Sequence, residues 1–348
     1  MLVSSKKDLG ITAHTLCLLH KLSGIVLTDV SNKYACRSSK KEEQLSAGTI
    51  STMSTGTTEV NLTSENRGFT PDTKFQAASL SKLVGVIVTA LYLKTQKLSL
   101  DMPVANFSAI QTDKRTTFKH LFSHCAGINV PGFPGYKAQP LPTMPEIIFG
   151  KYPANTGEIR YNLPFGEFSY SGGGYCLAQN IIEEMSGKNF ADLAEDFLFK
   201  PLKLHNTSFR IVTEDKHCAV GHDQNGNIIG NGWHLYPETI AAGLWTTPLD
   251  YLQILNELLN GFNALSSLIP EKIAQDILTP SVRYEENGHC YQHAPGIKLY
   301  DKDIYGHSGN NRGYKCLFAF SLKERKAFVI MSNDDNGEDI LDLCSGLF

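Results

Sequence analysis

The sequence predicts a mixed α/β protein of the α+β type, with strands towards both ends and helices in the middle. Near the C-terminus, 314–321 and 326–332 are predicted as two strands joined by a charged turn, which indicates a hairpin. Shorter strand-like pieces occur at 47–53 and 58–62. The stretch 83–93 is apolar on every face, which predicts a helix buried inside the protein. With 348 residues, the chain suits one large domain or two lobes.

Local signals place the remaining elements. Residues 1–33 are expected to form a short N-terminal helix or lead. Five prolines between 130 and 153 predict a long loop without regular structure, and loops of that length are often functional. Further helices are predicted at 117–127, where Gly127 closes the helix, and at 176–185, 188–199 and 249–260.

Composition narrows the classes of function. The net charge of -3 gives no reason to expect nucleic acid or an anionic membrane as partner. No run of eighteen uncharged apolar residues occurs, so no transmembrane segment is expected. A basic pair and apolar stretch near the N-terminus only faintly resemble a secretory signal. The eight cysteines lack framework spacing, which favours free thiols and slightly favours a cytoplasmic location.

The strongest candidate for chemistry is Ser79-Leu80-Ser81-Lys82, directly before the buried helix. Residues three apart on a helix share a face, so Ser79 Oγ and Lys82 Nζ can meet over one cleft. The same pattern occurs at Ser4…Lys7 and Ser38…Lys41 in polar stretches with no helix after them. Taken alone, the pattern fits a nucleophile and an ordinary N-cap serine equally well.

Two later motifs turn the pattern into a resemblance. Ser79-x-x-Lys82, Tyr170-Ser171-Gly172 and His307-Ser308-Gly309, in this order, resemble the active-site triplet of serine β-lactamase-like hydrolases. That family includes class C β-lactamases, penicillin-binding-protein-like esterases and D-stereospecific peptidases. The resemblance covers about 68–337. It implies a β-lactamase/transpeptidase-like fold, in which an antiparallel sheet flanked by helices faces a mostly helical lobe and the active site lies between them.

The resemblance also implies a division of the chain. After the lead of 1–33, residues 34–348 would form a single catalytic domain. The sheet lobe would come from about 34–78 and 290–348, and the helical lobe from about 79–289.

The resemblance assigns roles to residues. Ser79 would be the nucleophile, with Lys82 and Tyr170 sharing the proton work, and which of the two is the resting base stays open. His307 would act beside them, where many relatives carry lysine. The backbone N–H groups of Ser79 and Asn310 would form the oxyanion hole. Substrate-binding positions are expected at Ser308, Gly309, Gly172, Trp233 and Arg312.

Without the family context, Tyr170 would be read as a half-buried tyrosine at a helix start. His124, in contrast, is expected to belong to a structural turn that seats the helix behind the site. Trp233 could equally be part of a packed loop.

Two departures from the family pattern bear on the substrate. Gly172 stands where β-lactamases use an asparagine amide to hold the substrate, and glycine cannot do this. His307 is a weaker anchor for a substrate carboxylate than lysine, although Arg312 or Lys315 could compensate. We therefore expect an esterase, or a peptidase or amidase, acting on a small ester or amide with an acyl or D-amino-acid group. The alternatives are a true β-lactamase or DD-carboxypeptidase, and an idle family member used as a binding or scaffold module.

No cofactor and no metal are expected. The stretches His217-Cys218…His222 and His289-Cys290…His293 carry metal-ligand types, but their spacings match no standard zinc pattern. The sequence does not indicate an oligomeric state.

Overall fold

The computed structural model describes residues 24–31, 49–56, 72–108, 110, 112–286 and 288–337. Its main feature is an eight-stranded antiparallel sheet that joins both ends of this part of the chain. Its strands are β1 Gly24–Ser31, β2 Thr49–Gly56, β5 Val282–Glu286, β6 His289–Ala294, β7 Ile297–Asp301, β8 Ile304–Asn311, β9 Tyr314–Ser321 and β10 Lys326–Ser332. They lie in the order β2-β1-β10-β9-β8-β7-β6-β5. A separate two-stranded sheet pairs β3 (Phe75–Gln76) with β4 (Trp245–Thr246).

Helices cover the sheet and build the rest of the described chain. Their bounds are α1 Ser81–Thr95, α2 Phe118–Phe122, α3 Met144–Ile148, α4 Gly172–Ser186, α5 Phe190–Ala194, α6 Lys200–Leu202, α7 Thr239–Ala242, α8 Pro248–Phe262 and α9 Glu271–Leu278. A π-helical turn, Glu195–Phe199, links α5 to α6. Helix α8 packs on β1 and β10, and α9 packs on α8 and α1.

Helix α1 is the centre of the core. From Ser81 to Leu93 every residue is buried, as the apolar run 83–93 predicts. With the 3₁₀ turn Ala78–Leu80 before it, the segment Ala78–Thr95 is long and apolar enough to cross a membrane, but 83% of it is buried inside the protein. Burial of this kind is what a central core helix needs, because each large apolar side chain removed from water contributes about 1.5–3 kcal/mol.

Several sequence-based boundaries need correction. The lead predicted for residues 1–33 includes Gly24–Ser31, which pairs with β10 and β2 as strand β1. The sheet lobe therefore begins before residue 34. The C-terminal part of the sheet lobe begins with β5 at Val282, before the predicted start at residue 290. Pairing with β10 over a long sequence distance decides the first point, and no local pattern reports it. The second point is decided locally, because β5 pairs with the next strand, β6.

Two predicted features of the middle region also differ. The helix expected over 117–127 ends at Phe122, because His124 has a left-handed φ of 58° and turns the chain towards Gly127. The proline-rich loop contains α3, whose Pro145 lies in the first helical turn. Proline is tolerated there, since the N–H groups of the first turn have no intrahelical partner. The strand predicted at 58–62 lies outside the described residues.

The five described cysteines are free thiols. Four of them are buried, and Cys290 is exposed. This agrees with the expectation of unpaired cysteines for the part of the chain described.

Candidate active site

Ser79 lies on the short turn that links β3 to α1. The small β3–β4 sheet fixes the start of this turn, where Ala77 N–H donates to Leu244 O at 2.8 Å. Ala78 then adopts a left-handed φ of 48°, and Ser81 Oγ accepts from Leu244 N–H at 3.0 Å. These contacts hold the Ser79 side chain half-buried at the beginning of the buried helix. Left-handed backbone at a non-glycine residue is a form of strain often found at functional turns.

Ser79, Lys82 and Tyr170 meet at one point. Lys82 Nζ donates to Ser79 Oγ at 2.9 Å, and Tyr170 OH donates to the same oxygen at 2.9 Å. Lys82 is only 2% exposed. Its second acceptor is the backbone oxygen of Ala241 at 2.8 Å, which the sequence did not suggest. Helix α7 therefore positions the lysine, and the ammonium also lies 5.1 Å from the centre of the Tyr170 ring.

Tyr170 is positioned from behind by His124. Ser171 N–H donates to His124 Nδ1 at 3.0 Å, and the rings of His124 and Tyr170 lie 4.3 Å apart. Ser171 Oγ then accepts from Gly174 N–H and caps α4. The turn expected at His124 thus seats both the tyrosine and the helix that follows it.

Strand β8 forms the opposite wall. Gly309 lies so close to the turn that carries Ser79 that a Cβ there would stand 2.7 Å from Ala77 O, which explains the need for glycine. His307 lies on the same strand, buried, with its ring 6.0 Å from that of Tyr170. Its Nδ1–H donates to Ser308 O at 2.5 Å. Burial, and then the Lys82 charge, lower the pKa of His307 to about 3, so the imidazole is neutral at physiological pH.

Gly172 faces an aromatic side chain. A Cβ at this position would lie 2.7 Å from Phe133 Cε2 and 3.3 Å from Pro131 O. Phe133 comes from the proline-rich segment before α3. The space that an asparagine side chain would need at position 172 is therefore occupied by the Phe133 ring.

The other predicted binding residues differ in their surroundings. Ser308 and Asn310 are exposed on β8. Arg312 lies in the turn after β8 and pairs with Asp335, Nη1 to Oδ2 at 3.2 Å. Trp233 is 8% exposed, donates to Val212 O at 2.7 Å and packs edge-on against Trp245. These contacts are those of a packed loop.

A pocket lies next to this loop. Trp233 is not part of its lining, which is Gln76, Ile211, Val212, His234, Leu235, Tyr236, Gly243 and Trp245.

The structure brings His293 to the site, which the sequence did not predict. His293 on β6 is buried, and its ring lies 4.8 Å from His124 and 6.1 Å from His307. Within the described residues, the one group with metal-ligand spacing is His124, His293 and His307, whereas His217, Cys218 and His222 form no such group. No sequence spacing could reveal this cluster, since its members come from a turn and two separate strands.

Comparison with known proteins identifies a matching family and several relatives. A model of the family described as "Beta-lactamase" matches residues 44–343. Penicillin-binding protein 4* of Bacillus subtilis (strain 168) is 23% identical over 293 residues, which are 78% of this chain and 63% of that protein. The chain thus spans less than two thirds of the length of this relative.

Two solved structures show the same fold. The penicillin-binding protein from Bacillus halodurans is 21% identical, with a TM-score of 0.72 over 97% of this chain and 99% of that one. The D-amino acid amidase from Ochrobactrum anthropi SV3 is 20% identical, with a TM-score of 0.69 over 91% of this chain and 87% of that one. The sheet, the helical lobe and the family match together show that this chain belongs to the Beta-lactamase family of serine hydrolases.

Proposed function

We propose that this protein is an acyl-transferring serine hydrolase with Ser79 as its nucleophile, acting on small esters or on amides of the D-amino-acid type. The observation that carries the proposal is the pair of 2.9 Å hydrogen bonds that bring Lys82 Nζ and Tyr170 OH to Ser79 Oγ. A serine hydroxyl is a weak nucleophile unless an adjacent base accepts its proton. Two groups able to take that role touch Ser79 here.

The proposed reaction proceeds in two steps. Ser79 Oγ attacks the carbonyl carbon of the substrate, and its proton passes to the unprotonated member of the Lys82–Tyr170 pair. The same proton then moves to the departing alcohol or amine, which leaves an acyl-enzyme. In the second step water loses a proton to the same pair and adds to the acyl carbon. The carboxylic acid leaves as Ser79 regains its proton.

Backbone N–H groups of Ser79 and Asn310 are proposed to hold the oxyanion. The support is the close approach of β8 to the nucleophile turn at Gly309, which places the two segments side by side. N–H donors fixed before reaction stabilise developing negative charge without reorganising. Neutral His307, beside Tyr170, is proposed to accept a hydrogen bond from the substrate or from water at Nε2.

Substrate preference is argued from Gly172 and Phe133. The Phe133 ring occupies the place where an asparagine at position 172 would extend towards a substrate amide. The pairing of Arg312 with Asp335 also reduces its use as an anchor for the carboxylate of a β-lactam. We therefore favour ester or amide cleavage over β-lactam hydrolysis. The D-amino acid amidase that shares this fold makes D-amino acid amides a reasonable first series of substrates.

Labelling with a fluorophosphonate probe tests the nucleophile. The wild-type chain should gain one label, and Ser79→Ala should gain none. Ser38→Ala is the matched control, since Ser38 and Lys41 form the same four-residue pattern elsewhere in the chain. Equal labelling of wild type and Ser79→Ala would exclude Ser79 as nucleophile, and an unlabelled wild type would favour the idle binding module.

Substrate class requires a second comparison. Turnover of p-nitrophenyl acetate, D-alanyl amide and nitrocefin should be measured on the same preparation, with Ser79→Ala as blank. The proposal expects the ester or the amide to be turned over faster than nitrocefin. Nitrocefin as the best substrate would instead identify a β-lactamase.

A further inference from the structure

Three buried histidines converge behind Tyr170, although they are far apart in the sequence. His124 follows α2, His293 lies on β6 and His307 lies on β8. Strands β6 and β8 lie on either side of β7, so they are two strand spacings, or about 10 Å, apart. The side chains of His293 and His307 therefore lean towards each other across β7. One ring nitrogen from each histidine lies within 4.8 Å of the other two.

Hydrogen bonds at the outer nitrogens fix the orientation of two of these rings. His293 Nδ1 lies 2.8 Å from Ala294 O, and His307 Nδ1 lies 2.5 Å from Ser308 O. A carbonyl oxygen only accepts, so in both rings Nδ1 carries the proton and Nε2 keeps its lone pair. Imidazoles that ligate metals show this arrangement, with one nitrogen donating to a backbone carbonyl and the other free for the metal.

His124 completes the group. Its Nε2 is buried, and no hydrogen-bond partner for it occurs among the described residues; the residue as a whole is only 2% exposed. Its Nδ1 lies 3.0 Å from Ser171 N, from which it accepts in one tautomer, and 3.2 Å from Ser171 O, to which it donates in the other. Metal binding requires the second tautomer, in which Nε2 keeps its lone pair. A buried polar nitrogen without a partner is uncommon and indicates a water or an ion in contact with it.

We propose that His124, His293 and His307 bind one divalent transition-metal ion, with Zn²⁺ as the first choice. Three neutral imidazoles are a ligand set that suits Zn²⁺, Co²⁺, Ni²⁺ and Cu²⁺, whereas Mg²⁺ and Ca²⁺ prefer oxygen ligands. Burial lowers the pKa of all three histidines, which keeps them in the neutral form that ligates. Three histidines also leave a fourth position for water or substrate.

Geometry sets one requirement for binding. Nitrogens bound to a tetrahedral zinc at about 2.0–2.1 Å lie roughly 3.3 Å apart, which is closer than the 4.8 Å limit of the cluster. Each pair of nitrogens must therefore come closer together by up to ~1.5 Å. The Lys82 ammonium lies close enough to the three rings to lower their pKa, and it opposes a second cation at the same place.

Metal binding has a consequence for the reaction, and this consequence rests on the proposed function. A bound cation would take the Nε2 lone pair of His307 and repel the Lys82 ammonium beside Ser79. We therefore expect bound metal to slow acylation of Ser79. Binding itself does not depend on the nucleophile, so the two inferences can be tested separately.

The test is titration of the metal-free full chain with Co²⁺, followed by visible absorption, and with Zn²⁺, followed by calorimetry and by native mass. We expect one metal ion per chain, with the same affinity in Ser79→Ala. His293→Gln should raise the Kd by more than ~100-fold, since even the loss of a group that supports a ligand costs about 10–100-fold. Lys82→Met should tighten binding, because it removes the opposing charge.

Cys290→Ser is the matched control. Cys290 is an exposed free thiol three residues from His293, and with His289 it offers an alternative surface site. Circular dichroism of each variant checks that it folds. If His293→Gln does not fold, His124→Gln provides a second ligand change. Stoichiometric binding lost in the histidine variants and kept in Cys290→Ser supports the proposal. No binding by wild type, or binding lost only in Cys290→Ser, overturns it and leaves ordered water as the occupant.

Discussion

At the residue scale, Lys82 is the side chain on which the proposed chemistry depends most. It is buried, and its two acceptors, Ser79 Oγ and Ala241 O, fix the ammonium in one place. A lysine held in this way is positioned for proton transfer before any substrate arrives. This fixed position matters for catalysis because proton transfer requires the proton donor and the acceptor atom to be in contact.

Replacing the lysine tests this role. Lys82→Met keeps the length of the side chain but removes the amine that is proposed to share the proton transfer with Tyr170, so kcat/KM for the best ester or amide should fall by ~10²–10⁴. The control is Lys94→Met, at the exposed end of the same helix. Near-wild-type kcat/KM in Lys82→Met would assign the proton transfer to Tyr170 alone.

Gly172 and Phe133 form a second pair at this scale. Gly172→Ala forces a Cβ to within 2.7 Å of the Phe133 ring, and overpacking of this kind costs about 1–3 kcal/mol. The same substitution should cost less in a Phe133→Ala background, because the obstructing ring is gone. Urea unfolding of the four proteins in a double-mutant cycle measures the difference. Additive costs would show that Phe133 is not the obstacle at position 172.

At the scale of elements, the site depends on the contact between β8 and the turn that carries Ser79. The β3–β4 sheet fixes this turn from one side, and β8 passes it from the other at Gly309. The turn is short but continues into α1, and β8 belongs to the main sheet. These two parts of the fold thus meet at Ser79, and a small shift of either changes the distance between Ser79 and the β8 backbone.

Gly309→Ala tests this contact. The added methyl would stand 2.7 Å from Ala77 O, so the strand and the turn must separate. We expect kcat to fall by ~10²-fold, comparable to the loss of an oxyanion donor, with a smaller change in KM. Gly157→Ala is the matched control, since a Cβ there meets nothing within 4 Å and its φ is not left-handed. An unchanged kcat in Gly309→Ala would mean that β8 supplies no donor to the reaction.

At the scale of the whole molecule, one buried carboxyl connects stability to pH. Glu238 at the start of α7 is fully buried, and among the described residues neither of its oxygens has a hydrogen-bond partner of good geometry. Burial raises its pKa to about 8, against the opposing effect of its own backbone N–H and of the nearby Tyr136 hydroxyl. Below the unfolded value of 4.5, the carboxyl is neutral in both states. Between pH 4.5 and 8 the folded state binds the extra proton, so stability is lost as pH rises through this window.

Glu238→Gln should remove this dependence. Glutamine resembles the neutral carboxyl, so the variant should match wild type near pH 4.5 and exceed it by a few kcal/mol at pH 8, since each pKa unit is worth about 1.4 kcal/mol. The free energy of unfolding in urea at pH 4.5, 6 and 8 gives the comparison. Glu214→Gln, at an exposed carboxyl, should change little at any pH. A constant difference between Glu238→Gln and wild type would show that Glu238 does not titrate in this window.

Local sequence patterns predicted some helices and strands correctly and missed others. Helix α1 follows from its apolar run, and the β9–β10 hairpin follows from two strand-like segments joined by a charged turn, so their positions agree with the sequence. Strand β1 and helix α3 do not, because the first depends on pairing with β10 and the second on a proline in its first turn. Long-range pairing overrides local preference in the first case, and position within the helix decides the second.

The sequence by itself determined the family motifs, the buried helix and the candidates Ser79, Lys82, Tyr170 and His307. These depend on residue type, order and local spacing, which a chain carries without folding. Only the tertiary structure decided that Ala241 O holds Lys82, that Phe133 fills the space beside Gly172, and that His124 and His293 join His307. Each of these is a contact between segments far apart in the chain. The packing of the sheet and helices sets the geometry of each contact. The separation of two residues in the sequence does not predict the distance between them in the fold.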